Sequence, residues 1–574
     1  MHKGNVHCSE RQRRRAGLPL VALAAAILIP ALPLLVFESV GISTVDAPSH
    51  IRWLHGFQRG LAHGSWMPGW SDETFAGFGA YPLMIYGRAS YYLLAPFVWL
   101  TGNAWSALRL GVPVTFVLSA WLAYRAGRLF FDRPGAVLVA VCYVLGPYVI
   151  FVPYSQFGIT EHGAQVFIPW AVARLVLLLR RPSHLRFALF ALAYGLVVFS
   201  HLIAAFALGG TLLAIAFAGW GSVSRLRSIG LTLGGVVAAL ALTAFYWPFA
   251  MLGGGSSAVV KQRYAEVYAQ AHFAFGPDNW LIPDTATPLC YLAAAVLCVA
   301  VLMLRRTSGG ALDEHRRLWW ALAVLIVVTV AFESPLARPL WDRSSFLQQI
   351  QRPYRFHSAL QLPAVLLLVA VWTGLGNGAA TRRWRVGWRW LAGGVLAANL
   401  ALGAAIPWYL YLSAERTVAA LPEFDPRGND WRYVAPPTAN VEGVMADEAD
   451  TNWRLRGQGV TDVHILEWRP ERRLVRFTAS GGPVDVRTFW SSGWAVSLDG
   501  QSAAARAADP YGQIRFQAPP GTHLVSLTYA WPARCRFGAG ASIVAALACS
   551  VWPLCRTRRT APCPGGIRCA PATP

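Results

Sequence analysis

Asp46 and His50 lie four residues apart in the stretch VDAPSHIRWLHGFQRGLAHGSWMPGW (45–70), just after the first long apolar run of the chain. On a helix that spacing puts both on one face. A carboxylate leaving lipid is partly desolvated, which raises its pKa and suits it to base or metal duty; His50, one turn on, could share either role. Asp is also a common helix N-cap, so Asp46 could serve only to start a helix. Other groups that could do chemistry follow. Asp72 and Glu73 stand in the same loop, Glu161 and His162 open an apolar run in FGITEHGAQVFIPW, and His201 marks the short turn in VFSHLIAAF. Ionisable groups at membrane depth are costly and are functional candidates by default. Singly, each reads as a loop residue at headgroup level; acids and histidines converging on one face would mean more. PLARPLWDRSSFLQQIQRPYRFH adds Arg338, Arg343, Arg352 and Arg355. Arg presents a fork that matches phosphate oxygens, so this cluster points to an anionic ligand or to lipid headgroups.

These residues need elements to hold them. Of 574 residues, 55% are hydrophobic and only 14% charged, the balance of a polytopic membrane protein. The net charge of +22 does not imply nucleic acid, because the surplus sits in short Arg clusters between apolar runs, as positive-inside topology requires. The nine cysteines are scattered without metal or disulfide spacing. The opening RQRRRAGLPLVALAAAILIPALPLLVF reads as a retained first helix, longer than a signal h-region. Clusters at 11–15, 124–134, 180–186, 224–228, 305–317, 382–389 and 556–559, all placed inside, pair the apolar runs into about twelve transmembrane helices with both termini cytoplasmic. YYLLAPFVWLTG (91–102) is left over as an interfacial or half helix on the outer side.

The expected organisation is a cytoplasmic N-terminus (1–16) and a helical membrane domain (17–412) with an outer loop at 40–103. A β-rich domain (413–534), a last membrane helix (535–556) and a disordered cytoplasmic tail (557–574) follow. The β-rich domain rests on the runs RLVRFTA, VDVRTFW, WAVSL, QIRFQA and HLVSLTYAW. SGGP, DG and PPGT stand between them as turns, which suggests a sandwich-like domain. No phosphate loop, dinucleotide fingerprint, nucleophile elbow or zincin motif occurs, which argues against an ATP-driven pump.

At these residues the chain resembles a family. An acid after the first helix, GFGAYPLMIYGRASYYLLAPF, a Glu opening a later span, the SHL turn and QRPYRFHSALQL look like the bacterial glycosyltransferase-C-like membrane proteins. Within that group the chain is similar to the YfhO-type and 6-pyruvoyl-tetrahydropterin synthase-related membrane proteins. The strongest likeness is FWSSGWAVSLDG…PPGTHLVSLTY before the last span. The resemblance implies a polyprenyl-phosphate-linked sugar donor and an envelope glycan, lipid or protein acceptor. It also implies reaction on the outer face of a bacterial cytoplasmic membrane, with the β-domain outside. It places Asp46 at the acceptor or at a divalent metal, Glu161 at the second acidic position, and Arg352 and Arg355 on the lipid phosphate. His50, Asp72, Glu73, His162 and His201 would line the substrate site. YGRAS (86–90) departs from the family's Pro-rich YPPL, so Arg88 stands where a packing element is usual.

The remaining readings are a carrier of lipid-linked intermediates and a non-catalytic envelope scaffold. A carrier should place charge or broken helices at mid-membrane and often shows repeat symmetry; here the acids sit at the outer edge and no internal repeat is clear. The discriminating observation is whether Asp46 and Glu161 face one cavity.

Overall fold

The computed structural model describes residues 3–36, 46–220, 223–252, 266–277, 281–304, 315–374, 382–413, 436, 438–446 and 453–556. The expected start of the β-rich region (414–435) and the tail (557–574) lie outside them.

The apolar runs form helices. In chain order the principal ones are α1 (Lys3–Val36), α2 (Ala47–Ala62), α3 (Ala89–Thr101), α4 (Ala104–Gly127), α5 (Arg133–Val144), α6 (Pro147–Phe151) and α7 (Ile159–Arg180). They continue as α8 (His184–Ser200), α9 (Leu202–Ala218), α10 (Arg225–Leu242), α11 (Thr287–Leu304), α12 (Arg316–Glu333), α13 (His357–Gly374), α14 (Arg382–Ser413) and α15 (Ala533–Arg556). Their starts are set by capping side chains. Asn103, Asp132, Ser183, His201 and Ser224 each accept a backbone N–H three residues on, satisfying donors that the first helical turn leaves free.

Among the described residues six helices are long and apolar enough to cross a membrane: Ala104–Gly127, Ile159–Arg180, Arg225–Leu242, Leu281–Met303, Pro353–Gly374 and Val386–Tyr409. Two bent pairs bring the number to eight. One is Arg133–Val144 with Pro147–Ser155, bent by 42°; the other is Arg316–Glu333 with Pro335–Arg343, bent by 69°. A proline follows each break and cannot supply the next helical N–H. Leu20–Val36, His184–Ser200, Leu202–Ala218 and Cys535–Cys549 are shorter apolar helices. Side chains such as Val117, Trp121, Val237, Val296, Met303 and Val328 point outward, exposed, as a lipid-facing surface requires. The chain is a multi-pass membrane protein. α7, almost wholly buried, runs through the centre and packs on α4, α8, α9 and α13.

Among the described residues the C-terminal strands are β1 (Leu455–Gly457), β2 (Thr461–Arg469), β3 (Arg472–Phe489), β4 (Trp494–Leu498), β5 (Gln501–Ala503), β6 (Ala505–Ala508) and β7 (Gln513–Tyr529). They make one antiparallel sheet ordered β1–β3–β7–β4–β5, with β2 also on β3 and β6 also on β7. Two expected turns are corrected here. SGGP and PPGT do not reverse the chain; they lie inside two long strands, β3 (Arg472–Phe489) and β7 (Gln513–Tyr529), paired from Arg472↔Thr528 to Val486↔Ile514. The two irregular stretches face each other, Ser480 opposite Pro520 and Gly482 opposite Ala518. Gly481, Gly482 and Gly521 take positive φ, so both strands deviate at the same level without losing register. DG does turn the chain: Asp499 and Gly500, both at positive φ, join β4 (Trp494–Leu498) to β5 (Gln501–Ala503), as a two-residue hairpin loop demands.

Residues 63–88 join the sheet to the bundle. Glu471 Oε1 accepts from Gly69 N (2.6 Å) and Trp70 N (3.3 Å), Phe489 N donates to Phe78 O (2.9 Å), and Trp531 Nε1 donates to Met67 O (3.1 Å). Trp70 packs against Trp494 and Tyr529, and Phe78 against Phe489, Trp453 and Tyr511. Arg88 is buried with its guanidinium 4.9 Å from the Trp531 ring, a cation–π contact that ties the start of α3 to the end of the sheet.

Candidate functional site

One cavity of about 450 Å³ lies where α2, α7, α9 and the segment before α13 meet, and Asp46, His50, Glu161, His201, Arg352 and Arg355 all line it. Tyr86, Gly87, Tyr246 and Tyr354 add to its polar side. Ile203, Phe206, Met251 and Phe346 make an apolar flank; Phe206, Met251 and Phe346 are themselves exposed.

Asp46 occupies the N-cap position of α2, but its side chain makes no capping hydrogen bond and its backbone is already helical (φ −94°, ψ −19°). Its carbonyl accepts from His50 N at 3.0 Å. The carboxylate is thus left to the cavity. Burial pushes it up to about 6, the Arg355 guanidinium opposes that rise, and Glu161 adds to it. His50 is buried, bonded through Nδ1 to the Tyr91 hydroxyl (2.7 Å), with Trp53 edge-on at 5.4 Å. Burial pushes it down to about 3, so it stays neutral at physiological pH.

Glu161 lies in the first turn of α7, where the chain enters after Gly158. Its Oε1 accepts from the Tyr148 hydroxyl (2.7 Å) and the Ser358 hydroxyl (3.3 Å). Arg355 follows Pro353 in the short 3₁₀ turn that leads into α13. Its Nη1 donates to Ile350 O (3.1 Å), its Nε has no hydrogen-bond partner among the described residues, and its charge interacts with both Glu161 and Asp46. Arg352 donates to Gln270 O (3.1 Å). His201 caps α9, its Nδ1 accepting from Ala204 N (3.2 Å). Burial, helped by the charge of Arg355, pushes it down to about 3. Both cavity histidines are therefore neutral hydrogen-bonding groups, and the cavity's positive charge comes from the arginines.

Three expected site residues lie elsewhere. His162 follows Glu161 but, one residue on, turns about 100° around the helix axis. Its Nε2 meets Thr115 Oγ1 at 2.8 Å and its ring packs on Phe116. Asp72 and Glu73 clasp α2 to the loop under the sheet: Arg59 Nη1 reaches Asp72 at 3.3 Å and Glu73 at 2.8 Å, and His55 bonds Glu73 at 2.7 Å. Burial works to raise Glu73, but His55 and Arg59 overcome it and hold the carboxyl below its usual value. Arg338 pairs weakly with Asp342 on an exposed turn (3.8 Å) and does not line the cavity.

The sequence reading missed Tyr148, Ser358 and a fully buried pair, Glu333 and His357, at 2.6 Å. Glu333 carried a signal: it is an acid closing an otherwise apolar run, AVLIVVTVAFE. Tyr148 and Ser358 carried none, since tyrosine and serine are ordinary in apolar helices. Among the described residues no group of three His, Cys, Asp or Glu side chains is placed to hold a metal ion. A divalent metal would have to rest on Asp46 and Glu161, with the Arg355 charge beside them.

No family model and no curated protein matches the chain. Among solved structures it is similar to the arabinofuranosyltransferase AftD from Mycobacteria, at 18% identity and a TM-score of 0.43, over 69% of this chain and 27% of that one. It is also similar to the Archaeoglobus fulgidus oligosaccharyltransferase in the apo form, at 15% identity and a TM-score of 0.41, over 68% of this chain and 56% of that one. The complex of AglB from the same organism with an inhibitory peptide and a dolichol-phosphate gives 14% identity and a TM-score of 0.41. The matched region spans about a quarter of AftD and just over half of the oligosaccharyltransferase.

Proposed function

We propose that this protein is a membrane glycosyltransferase that moves a sugar from a polyprenyl-phosphate-linked donor to an envelope glycan, lipid or protein at the outer face of the cytoplasmic membrane. The observation that carries it is the single cavity joining Asp46 and Glu161 to Arg352 and Arg355. Its remaining support is the motif resemblance. In this reading six spanning helices, two bent pairs and four shorter apolar helices make twelve crossings, and the cavity and sheet share the external side.

The chemistry follows from the groups present. The acceptor O–H gives its proton to Asp46, whose carboxyl, raised to about 6, lies close to operating pH, where a general base is most effective. The acceptor oxygen bonds to the anomeric carbon as the bond from that carbon to the phosphate oxygen breaks. The electron pair leaves on the phosphate, where Arg352 and Arg355 offset the developing charge. Glu161, held by Tyr148 and Ser358, orients the sugar or the acceptor. The apolar flank at Phe206, Met251 and Phe346 takes the first part of the lipid tail, so the head reaches the acids without leaving the membrane. The sheet frames the cavity through residues 63–88, the loop that also supplies Tyr86 and Gly87.

The test is the glycolipid and wall-polymer profile of a deletion strain complemented with variants. Asp46→Asn is expected to reach normal membrane levels and to abolish the product that wild type restores. Product at wild-type level from a stable Asp46→Asn protein would overturn the assignment.

A further inference from the structure

Behind the cavity lies a buried polar group that the reaction above does not use directly. Tyr148, on the short α6, sends its hydroxyl to Glu161 Oε1 (2.7 Å), and Ser358, in the first turn of α13, reaches the same oxygen (3.3 Å). The Tyr148 hydroxyl is the main donor to that oxygen, since the single Ser358 proton also reaches the Arg355 carbonyl at 2.5 Å. The Tyr148 ring is itself held. It meets His357 edge-on at 5.3 Å, with Phe151 and Tyr354 on its other sides at 6.2 and 6.3 Å. His357 is fixed in turn by Glu333 at 2.6 Å, both fully buried, and by an edge contact with Tyr291 at 5.3 Å, whose hydroxyl donates to Gln361. His357 stands between Arg355, which lines the cavity, and Ser358. One buried contact thus packs against the segment that presents both.

We propose that Tyr148 and Ser358 are positioning residues that fix the Glu161 carboxylate for the reaction in the cavity, and that the His357–Glu333 pair is the anchor that holds them. Their role in turnover rests on the glycosyltransferase reading; their hold on Glu161 does not, and the two can be tested apart.

The direct test is labelling of the purified full-length protein with N,N′-dicyclohexylcarbodiimide, read by peptide mass spectrometry as the ratio of adduct at Glu161 to adduct at Asp46. Asp46 faces the same cavity and is not bonded to either hydroxyl, so general loosening raises both signals and leaves the ratio unchanged. An oxygen engaged by a hydroxyl donor reacts poorly with the reagent. Tyr148→Phe is therefore expected to raise the ratio about tenfold, the worth of one hydrogen bond to a charged group, and Ser358→Ala by less. An unchanged ratio in Tyr148→Phe overturns the proposal. If that variant fails to accumulate, an unchanged ratio in Ser358→Ala does so. In the complemented strain, Tyr148→Phe is expected to lower product about tenfold and to cost nothing more when added to Glu161→Gln. Equal factors in both backgrounds would separate Tyr148 from Glu161. If Asp46→Asn and Glu161→Gln both keep full product, the glycosyltransferase reading fails, while the labelling ratio still decides whether the two hydroxyls hold Glu161.

Discussion

The acid at position 46 is the clearest case of one residue's environment setting its chemistry. A carboxyl raised from 3.8 to about 6 by burial binds more protons in the folded than in the unfolded state between those two values. Stability therefore falls as pH rises through that window and stays lower above it. Removing the charge removes the penalty. Asp46→Asn is expected to melt a few degrees above wild type at pH 7.5, with the gain shrinking toward pH 5. A capping role predicts no gain for Asn, which caps as well as Asp, and a loss of about 1 kcal/mol for Ala. Thermal melts of wild type, Asp46→Asn and Asp46→Ala at both pH values separate the two. The same carboxyl predicts that product formation falls as external pH drops below about 6, when the base takes up its proton. Glu161 and His162 teach a related point. Both are unusual in an apolar run and both could be picked out from sequence, but one residue of helical rotation sends one to the cavity and the other to Thr115.

At the scale of elements, the sheet is held by pairings that the sequence did not suggest. His523 lies on β7 and meets the Asp499 carboxylate through Nδ1 (2.6 Å) and the Pro519 carbonyl through Nε2 (2.9 Å). Both neighbours are acceptors, so the ring must donate from both nitrogens, which favours the imidazolium. The hydrogen bond to Asp499 holds His523 above its ordinary value, while the bonds from Leu524 N and His523 hold Asp499 below its own. A raised histidine stabilises below its unfolded value and loses that contribution as pH rises through the folded one; the lowered Asp499 is ionised throughout that range. His523→Gln is thus expected to lower the melting temperature by about 1–3 °C at pH 6 and by less at pH 9, measured on the full protein. An equal loss at both would show that the ring acts by packing alone, for example against Phe477. The long strands make a second point about elements. SGGP and PPGT have turn composition, yet they sit opposite one another in paired strands, so each one's irregularity is matched across the ladder.

At the scale of the molecule, sheet and bundle are coupled through residues 63–88. Trp70 and Phe78 fill the sheet's aromatic side, and Asp72 and Glu73 clasp the loop to α2. The sheet is therefore a support for the loop that contributes Tyr86 and Gly87 to the cavity wall. Topology is testable at the same scale. Reporter fusions at residues 130, 222, 310 and 386 are expected to read cytoplasmic, since Arg clusters near each favour that side. An external reading at any one breaks the pairing of helices and moves the cavity relative to the membrane faces.

The sequence by itself determined the class of molecule. Apolar runs of spanning length, Arg clusters between them and alternating strands with a DG turn are local patterns, each readable within about 20 residues. It also made Asp46, Glu161, Arg352 and Arg355 conspicuous, because charge inside or beside an apolar run is costly and therefore rare. Only the tertiary structure decided which of these meet. Asp46, Glu161 and Arg355 come from three elements far apart in the chain, and Asp72, Glu73 and His162, equally conspicuous, pack elsewhere. It alone revealed Tyr148, Ser358 and the His357–Glu333 pair, because a hydroxyl or an ion pair gains its role from what stands opposite it across the bundle, and that partner is set by helix packing and not by spacing along the chain.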